Sequence, residues 1–320
     1  MIKKIAVLTS GGDSPGMNAA IRSIVRTSCN NNIKVLGVLD GYLGLCKNRI
    51  IKLNKKSVSN IINKGGTFLG TARYKKFYKK KTREIAILNM KNKKIDALIA
   101  IGGNGTYIGA NKLNKMNFPC ISIPGTIDND IFGTDYTIGY STALETVVQL
   151  IDKLRDTSCS HKRITIIEIM GRNCGDLTLF SSIAGGCQYI IIPEIPYNEK
   201  KLIKKIKKNV KKEKKNILIG ITEHICNVKK LAKKIEKEVN QETRATVLGH
   251  IQRGGAPVAF DRILASKMGY FSVKLLLKKK FGKCIGIKNN KIIYNDINYA
   301  FNFIKKKYDK KIIFLAKNLF

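Results

Sequence analysis

Short, continuous apolar runs recur along this chain, and each ends in a glycine-rich or polar turn that opens into a segment of helical periodicity. The clearest runs are Ile5–Leu8, Ala97–Ile101, Cys120–Ile123, Ile164–Met170 and Ile217–Ile221. Continuous rather than alternating apolar residues are typical of parallel strands that are buried on both faces. Strands that alternate with helices predict an α/β fold with doubly wound sheets. Ligands of such sheets bind at the carboxyl ends of the strands.

The length and composition predict two domains. At 320 residues the chain exceeds the roughly 100–200 residues of a typical single domain, and two medium α/β domains would each bury a core. Apolar residues are 44% of the chain and charged residues 26%, which are globular values rather than those of a disordered chain. No Pro- or Ser-rich linker is visible, so composition does not locate the domain boundary.

The chain carries a formal charge of +38, from 60 Lys and Arg against 22 Asp and Glu. One interpretation is a nucleic-acid or anionic-membrane partner. The favoured interpretation is that lysine decorates solvated faces, since Lys, Asn and Ile are plentiful everywhere, as an AT-rich coding sequence would produce. We therefore expect no specific nucleic-acid partner and no membrane partner. Residues 200–216 predict a basic amphipathic helix that packs on the core.

The sequence favours a cytoplasmic protein. The first apolar run is short and leads directly into Gly11-Gly12, so it predicts a first strand rather than a signal peptide. No run approaches the roughly 20 apolar residues of a membrane span. The eight cysteines include no C-x-x-C pair and the three histidines are scattered, which argues against a zinc site and favours free thiols.

Two glycine loops are candidate phosphate sites. Gly11-Gly12 lies between the first predicted strand and a predicted helix from Pro15 onward, and Gly102–Thr106 repeats that arrangement. Glycine allows a phosphate to approach the backbone closely, and a helix N-terminus offers free N–H groups to an anion. Each loop on its own is equally consistent with a tight turn. Neither is a Walker A loop, because no Gly-Lys-Ser/Thr follows at the required spacing.

The loop Pro124–Asp130 sets two carboxylates beside a hydroxyl. Asp128 and Asp130 lie two residues apart, so in an extended loop they would point the same way, close to Thr126. One carboxylate could then accept a proton from an attacking hydroxyl while the other helps to hold Mg²⁺. The alternative is that both cap helices or form turns.

Basic residues accumulate near these loops, and arginine is well suited to bidentate phosphate contact. Each of them alone could be a surface charge. Arg172 follows Met170-Gly171 at the end of the fourth run, and His250 lies in a polar loop that ends in two glycines. The basic candidates are Arg73, Arg163, Arg172, Arg244, His250 and Arg253. With the glycine and carboxylate loops they predict a phosphoryl-transfer site that holds several phosphates.

Five motifs in their order and spacing resemble those of the bacterial ATP-dependent 6-phosphofructokinases: Leu8–Asp13, Asp40–Leu45, Gly65–Gly70, Pro124–Asp130 and Gly249–Gly255. The resemblance runs along the whole chain. It implies a homotetramer whose subunits transfer the γ-phosphate of Mg-ATP to the 1-hydroxyl of fructose 6-phosphate. It also implies two doubly wound, Rossmann-like, three-layer domains with mostly parallel sheets. Residues 1–138 with 252–301 would bind ATP, and residues 139–251 with 302–320 would bind fructose 6-phosphate.

The resemblance also assigns roles to individual residues. Asp128 would take the proton of the 1-hydroxyl, with Thr126 and Asp130 beside it. Arg172 and Arg73 would contact the phosphoryl group that is transferred. The ATP-binding positions would be Gly12, Arg73, Tyr74, Gly103, Asn104, Gly105 and Thr106. The sugar-phosphate positions would be Thr126, Asp128, Met170, Gly171, Arg172, Glu223, His250 and Arg253, with Arg163 and Arg244 reaching in from a neighbouring subunit. The effector positions would be Arg22, Arg26, Lys55, Asn60, Arg155, Gln188, Lys212 and Lys214.

Three features depart from the pattern of the family. Where the family has an Asp that binds Mg²⁺, this chain has Asn104. In the effector loop, Lys55 replaces an Arg of the family and Asn60 replaces an Asp. Gln188 replaces a Glu of the effector site. These changes predict weaker metal binding and weaker activation by Mg-ADP. They also leave open an alternative function as a regulatory or anion-binding subunit. Gly105 and Gly125 stand where pyrophosphate-dependent members have Asp and Lys, so they favour ATP.

Overall fold

The computed structural model of the chain describes residues 2–210 and 216–301, with residues 312 and 315. These residues divide into two compact units. The first contains the described residues up to Thr142 and from Arg253 onward to residue 301, and the second contains those from Ala143 to Gln252 with residues 312 and 315. None of the helices in these residues has the length and apolar character that crossing a membrane requires.

The first unit alternates strands and helices. In chain order its elements are β1 (Lys4–Ser10), α1 (Met17–Asn30), β2 (Lys34–Val38), α2 (Gly41–Cys46), β3 (Ile50–Leu53), α3 (Lys80–Asn92), β4 (Ala97–Gly102), α4 (Asn104–Asn114) and β5 (Cys120–Pro124). After the second unit the chain adds α9 (Ala259–Leu277), β10 (Lys283–Lys288) and β11 (Lys291–Asp296). Short 3₁₀ helices lie at Lys75–Tyr78, Gly249–Arg253 and Ile297–Phe301.

The described strands of the first unit form one seven-stranded sheet in the order β11-β10-β5-β4-β1-β2-β3. Its outermost strands, β11 and β3, run antiparallel to their neighbours and the others run parallel. Strand β1 shows why its apolar run is continuous, because Ile5 and Val7 enter the core on one face of the sheet while Ala6 and Leu8 enter the core on the other. The prediction of parallel strands buried on both faces is confirmed.

The second unit has the same construction around a smaller sheet. Helix α5 (Tyr140–Ser160) starts in the first unit and belongs to the second from Ala143 onward. The other elements of the second unit are β6 (Ile164–Ile169), α6 (Asp176–Ala184), β7 (Tyr189–Ile191), α7 (Glu199–Val210), β8 (Ile217–Thr222), α8 (Val228–Val239) and β9 (Thr243–Val247). Within the described residues the strands form a four-stranded, fully parallel sheet in the order β7-β8-β6-β9. The predicted α/β class is confirmed for both sheets.

Helix α7 confirms the basic amphipathic helix as far as Val210. Leu202, Ile203 and Ile206 are buried in the core of the second unit, while the six lysines of the helix are exposed. The remainder of the predicted segment, residues 211–215, lies outside the described residues.

The register of the first sheet aligns three strand ends. Ser10 at the end of β1 pairs with Gly102 at the end of β4, and Gly102 pairs with Pro124 at the end of β5. Neighbouring strands lie about 4.8 Å apart, so the chain leaves the sheet at three adjacent points of one edge. The two glycine loops and the carboxylate loop begin there.

A buried carboxylate ties the start of α5 to α9. Asp261 is fully buried and accepts hydrogen bonds from Gly139 N at 2.9 Å, from Thr142 N at 2.8 Å and from Thr142 Oγ1 at 2.6 Å. Burial raises the pKa of Asp261, and these hydrogen bonds oppose the shift. The carboxylate therefore satisfies backbone donors that water does not reach.

We expect Asp261→Asn to lower the free energy of unfolding by about 2–4 kcal/mol. The NH₂ group of the new amide would face Gly139 N or Thr142, which donate hydrogen bonds themselves. Urea denaturation followed by circular dichroism measures the change. The control is Asp296→Asn, because that carboxylate is 72% exposed in its ion pair with Lys283 and should contribute less than about 1 kcal/mol. Equal losses in the two variants would contradict the role of Asp261.

Candidate active site

The first glycine loop lies against a fixed arginine. A Cβ atom on Gly12 would come within 2.6 Å of Arg253 Nη1, so only glycine leaves room for the guanidinium group in this position. Arg253 is 8% exposed and its Nη1 donates to Asp13 O at 3.1 Å. The loop thus combines an open backbone with a positive charge that packing holds in place.

The second glycine loop forms the N-terminus of α4 and is tied to the first loop. Thr106 Oγ1 donates to Ser10 O at 2.8 Å. A Cβ on Gly102 would meet Ser10 O at 2.4 Å, so the two strands leave no room for a side chain there. The positive end of the α4 dipole and the N–H groups of its first turn face this loop, which makes it a site for an anion.

The carboxylate loop lies beside the second glycine loop. A Cβ on Gly103 would lie 3.7 Å from Thr126 Cβ. Asp128 is 2% exposed, and its backbone N–H donates to Thr126 Oγ1 at 3.3 Å. The structure therefore brings Thr126 and Asp128 next to the residues that the sequence predicts to bind phosphate.

The carboxylate loop is not extended, which corrects the argument used to place Asp128 and Asp130 on one side. Asn129 adopts the left-handed conformation with φ 50°. Its Nδ2 donates to Asp135 O at 3.0 Å, and its Oδ1 accepts from Thr137 N at 2.9 Å. Sequence reasoning missed this buried residue, although asparagine is among the few residues that tolerate this conformation. Asn129 fixes the turn that sets the two neighbouring carboxylates.

Asn104 and Asp130 are in direct contact. Asn104 Nδ2 donates to Asp130 Oδ2 at 2.8 Å. Within the described part of the chain, Asn104 Oδ1 is buried and accepts no hydrogen bond. The Asn104 amide thus meets the Asp130 carboxylate through its nitrogen at the N-terminus of α4, and its buried oxygen remains available as an acceptor.

The segment with Arg73 and Tyr74 runs past the first glycine loop. Thr71 Oγ1 donates to Gly11 O at 2.9 Å. Arg73 is exposed, and Tyr74 packs partly buried against one core of the first unit. Both predicted nucleotide residues therefore belong to the same unit as the two glycine loops.

In the second unit, Glu223 holds the turn that follows β6. Its Oε1 accepts from Gly171 N at 3.3 Å and from Arg172 N at 3.1 Å. Gly171 has φ 149° and a Cβ there would meet Cys174 O at 2.3 Å, so the turn requires glycine. Gly171, Arg172 and Glu223, three predicted sugar-phosphate residues, are therefore brought together by the fold.

Gln252 connects this turn to the segment of His250, and sequence reasoning missed it. Its side chain is fully buried, its Oε1 accepts from Met170 N at 3.1 Å, and its Nε2 donates to Gly249 O at 2.9 Å. The only available signal was a polar residue between His250 and Arg253. Gln252 thus positions two predicted substrate segments relative to each other.

Carboxylates cluster near the same turn. Burial raises the pKa of Glu168, the charge of Glu223 raises it further, and His224 lowers it. His224 Nε2 lies 3.9 Å from Glu223 Oε2. A phosphorylated ligand at this turn would therefore need cationic partners that offset the carboxylate charge.

Arg163 and Arg244 lie at the opposite end of β6 from Met170. Both contact Glu242, with Arg163 Nη1 at 3.7 Å and Arg244 Nε at 2.8 Å from Glu242 Oε1. Arg163 precedes β6 and Met170 follows it, and a strand of that length spans about 20 Å. Within one unit the two arginines are therefore too far from Met170 to share a small ligand with it.

The predicted effector residues fall into three groups. Arg22 and Arg26 lie one turn apart on α1. Burial lowers the pKa of Arg22, and the positive charge of Arg26 lowers it further by a smaller amount. Lys55 and Asn60 are exposed in the segment after β3. In the second unit, Arg155 Nη2 donates to Gly185 O, and Gln188 Oε1 accepts from Leu218 N at 2.7 Å. Lys212 and Lys214 lie outside the described residues.

These features define an α/β protein with two units, each carrying candidate anion-binding turns at the carboxyl ends of parallel strands. Comparison with known proteins identifies the family. Residues 4–276 match the phosphofructokinase family. Over all 320 residues the chain is 60% identical to the ATP-dependent 6-phosphofructokinase of Buchnera aphidicola subsp. Acyrthosiphon pisum and 58% identical to that of Erwinia tasmaniensis, and it covers 100% of each. The chain belongs to the phosphofructokinase family.

Solved structures agree with this assignment. The phosphofructokinase of Saccharomyces cerevisiae superposes with a TM-score of 0.85 at 33% identity, covering 99% of this chain and 50% of that one. A pyrophosphate-dependent phosphofructokinase from Marinobacter aquaeolei superposes with a TM-score of 0.86 at 22% identity, covering 96% of this chain and 86% of that one, and shares the fold. The predicted fold class and family are confirmed.

Proposed function

We propose that this protein is an ATP-dependent 6-phosphofructokinase that converts fructose 6-phosphate and ATP to fructose 1,6-bisphosphate and ADP. The observation that carries the proposal is the meeting of Asp128, Thr126 and the two glycine loops at aligned strand ends. Full-length identity of 60% to a protein named for this activity supports it. The cytoplasmic location and the homotetramer remain predictions.

The first unit would bind the donor. The phosphates of ATP would lie on the backbone N–H groups of Gly12 and of Gly103–Thr106, where helix N-termini favour negative charge. Arg73 and Tyr74 would border the nucleotide. Phosphoryl transfer depends mainly on positioning the reactants and on stabilising the negative charge of the phosphates. These loops would contribute to both.

Asp128 would act as the general base. Its carboxylate would take the proton of the 1-hydroxyl while that oxygen bonds to the γ-phosphorus and the bond to the ADP oxygen breaks. Arg172 and Arg73 would stabilise the negative charge that spreads over the transferring group. Burial of Asp128 at 2% exposure keeps bulk water from competing for the phosphoryl group.

The sugar phosphate would bind through Met170, Gly171, Glu223, His250 and Arg253. Arg163 and Arg244 are proposed to reach the sugar phosphate of a neighbouring subunit. The separation of these two arginines from Met170 by the length of β6 supports that arrangement. Their shared partner Glu242 keeps both guanidinium groups at one place on the unit.

The residues present fit a magnesium ion. Asn104 Oδ1 is a buried oxygen that accepts no hydrogen bond from the described residues, and Asp130 provides a carboxylate beside it. Such hard oxygen ligands suit Mg²⁺, which when bound would neutralise phosphate charge. We propose that Asn104 and Asp130 hold this ion, with one negative charge fewer than an Asp at position 104 would give.

Packing supports ATP over pyrophosphate as the donor. A Cβ on Gly125 would lie 3.0 Å from Ile101 Cγ2 and 3.1 Å from Met17 Cε. A side chain at this position would require Ile101 and Met17 to shift, which disfavours the lysine that the pyrophosphate-dependent members have there. The alternative function as a regulatory or anion-binding subunit is separated from the main proposal by the three experiments that follow.

We expect Asp128→Asn to lower turnover by about 10²–10⁴-fold while fructose 6-phosphate still binds, because the amide keeps the shape and removes the proton acceptor. A coupled assay for fructose 1,6-bisphosphate and calorimetric binding of fructose 6-phosphate measure the two effects. Asp152→Asn, on the exposed side of α5, is the control and should match the unaltered protein. A variant at position 128 with more than about a tenth of normal turnover would show that Asp128 is not the base.

We expect Asn104→Asp to lower the Mg²⁺ concentration for half-maximal rate by about five- to tenfold, because a unit charge near a divalent ion adds several kcal/mol that water partly offsets. Rate against free Mg²⁺ at fixed ATP measures this. Calorimetric titration of Mn²⁺ provides a second readout that does not depend on turnover. Asn117→Asp, exposed beyond α4, is the control. Identical metal titrations for the unaltered and Asn104→Asp proteins would exclude position 104 from the metal site, whereas absence of activity at every Mg²⁺ concentration would favour the regulatory subunit.

We expect less than about twofold activation by Mg-ADP at low fructose 6-phosphate, because amides at positions 60 and 188 replace carboxylates and Gln188 Oε1 already accepts from Leu218 N. The double variant Asn60→Asp/Gln188→Glu should respond more strongly. Phosphoenolpyruvate, which needs only cationic partners such as Arg22 and Arg26, serves as the control ligand and should act similarly on both proteins. Equally strong ADP activation of both proteins would refute the prediction.

A further inference from the structure

Residues 133–138, which we call the brace, run alongside the carboxylate loop, and none of the roles proposed above belongs to them. Ile138 N donates to Pro124 O at 2.9 Å, and Thr126 N donates to Ile138 O at 3.1 Å. Between these two bonds, Gly125 and Ile138 pair as neighbours in a parallel sheet do. The first residues of the carboxylate loop are therefore hydrogen-bonded to one residue of the brace.

Thr137 contacts the carboxylate loop on both sides of the proposed base. Its side chain is fully buried. Its Oγ1 donates to Thr126 O at 2.6 Å, and its backbone N–H donates to Asn129 Oδ1 at 2.9 Å. Thr126 lies two residues before Asp128 and Asn129 lies one residue after it. A single threonine of the brace thus holds the residues that flank the carboxylate.

The side chain of Asn129 makes a second connection to the brace. It is 2% exposed, and its Nδ2 donates to Asp135 O at 3.0 Å. With the bond from Thr137 N, both ends of the amide contact the brace. A rotation of the backbone at Asn129, whose φ is 50°, would break at least one of these bonds. The amide therefore fixes the direction in which the chain leaves Asp128.

Strand β10 anchors the brace. Asp135 N donates to Ile287 O at 2.8 Å, and Ile287 N donates to Thr134 Oγ1 at 3.0 Å. A Cβ on Gly286 would meet Gly133 O at 2.9 Å, so the strand and the brace are in close contact. The brace is therefore tied to the sheet at a strand that carries none of the predicted site residues.

We propose that Thr137 and Asn129 are positioning residues for phosphoryl transfer, which act through Asp128 and touch neither substrate. The brace holds the Asp128 carboxylate in the direction of the hydroxyl that loses its proton, before either substrate binds. A displacement of a reacting group by about 1 Å lowers a rate by up to about 100-fold. This inference rests on the proposed function, since it assigns support to the same base.

The first experiment removes one hydrogen bond of the brace. Thr137→Val loses the hydroxyl that donates to Thr126 O and keeps the branched shape. In the coupled assay it should lower kcat by about 10–100-fold. Calorimetric binding of ATP and KM for ATP should stay within about twofold of the unaltered protein, because the hydroxyl bonds to the carboxylate loop and not to the glycine loops.

A conservative variant and a matched control accompany this change. Thr137→Ser keeps the donor and should retain kcat within about threefold. Ser272 on α9 has a fully buried hydroxyl in the same unit, and it donates to Gly269 O at 2.7 Å within the helix. Ser272→Ala thus removes a buried hydrogen bond away from the carboxylate loop, and it should retain kcat within about twofold.

Asn129→Gly separates the amide from the backbone conformation. Glycine adopts a positive φ readily, so this variant keeps the left-handed turn and loses both contacts of the amide with the brace. It should lower kcat by about 10–100-fold. Turnover within about twofold of normal would show that position 129 needs only a residue that accepts this conformation, and would overturn the role of the amide.

A double-mutant cycle tests whether the brace acts through the base. In the Asp128→Asn protein, adding Thr137→Val should change the rate by less than about twofold, because no carboxylate is left to direct. Single-turnover formation of fructose 1,6-bisphosphate at high enzyme concentration measures these low rates. If the losses of the two single variants multiply in the double variant, Thr137 does not act through Asp128 and the inference is overturned.

The outcomes separate this inference from the proposed function. Circular dichroism establishes that each variant is folded, and if Thr137→Val is not, Asn129→Gly takes its place in the cycle. An active enzyme whose Thr137→Val and Asn129→Gly variants keep normal kcat overturns only the role of the brace. Parallel losses of kcat and of ATP binding also overturn it, because the brace would then support the whole site. An unaltered chain that forms no fructose 1,6-bisphosphate overturns the proposed function and this inference with it.

Discussion

The parallel register of β1, β4 and β5 is the constraint on which the candidate site depends. Because Gly102 on the middle strand is paired with both Ser10 and Pro124, three loops that are far apart in the chain start on neighbouring strands, with about 4.8 Å between one strand and the next. The hydrogen bond from Thr106 Oγ1 to Ser10 O then joins two of these loops. A shift of one residue in the β1–β4 pairing would displace the two glycine loops relative to each other, and one in the β4–β5 pairing would displace the second glycine loop relative to the carboxylate loop.

Small side chains and their packing determine what this site accepts. The crowding around Gly125 by Ile101 and Met17 disfavours a long basic side chain in the carboxylate loop. The hydrogen bond between Asn104 and Asp130 provides a neutral partner where two carboxylates would repel each other without a metal. The site is therefore less dependent on a cation for its own integrity than a site with two acidic residues would be.

The sequence predicted the strands and the glycine turns because buried parallel strands need continuous apolar runs, and the predicted ends of β1, β4 and β5 differ from the observed ends by one or two residues. It could not predict contacts between distant segments. Gln252 accepts a hydrogen bond from the backbone N–H of Met170, which lies 82 residues away in the sequence. No local sequence pattern predicts that contact. The turn at Asn129 was missed for a related reason, because its left-handed backbone is held by Asp135 and Thr137.

Strand β1 and helix α7 tolerate sequence change very differently. Every residue of β1 from Ile5 to Leu8 packs in one of two hydrophobic cores. None of these positions therefore tolerates a polar or charged residue. Helix α7 buries three residues and turns all its lysines to solvent. Mutational bias can therefore accumulate charge on such outer faces without reaching the loops at the strand ends. The net charge of a chain built in this way can therefore change on its outer helix faces while the strands keep their residues.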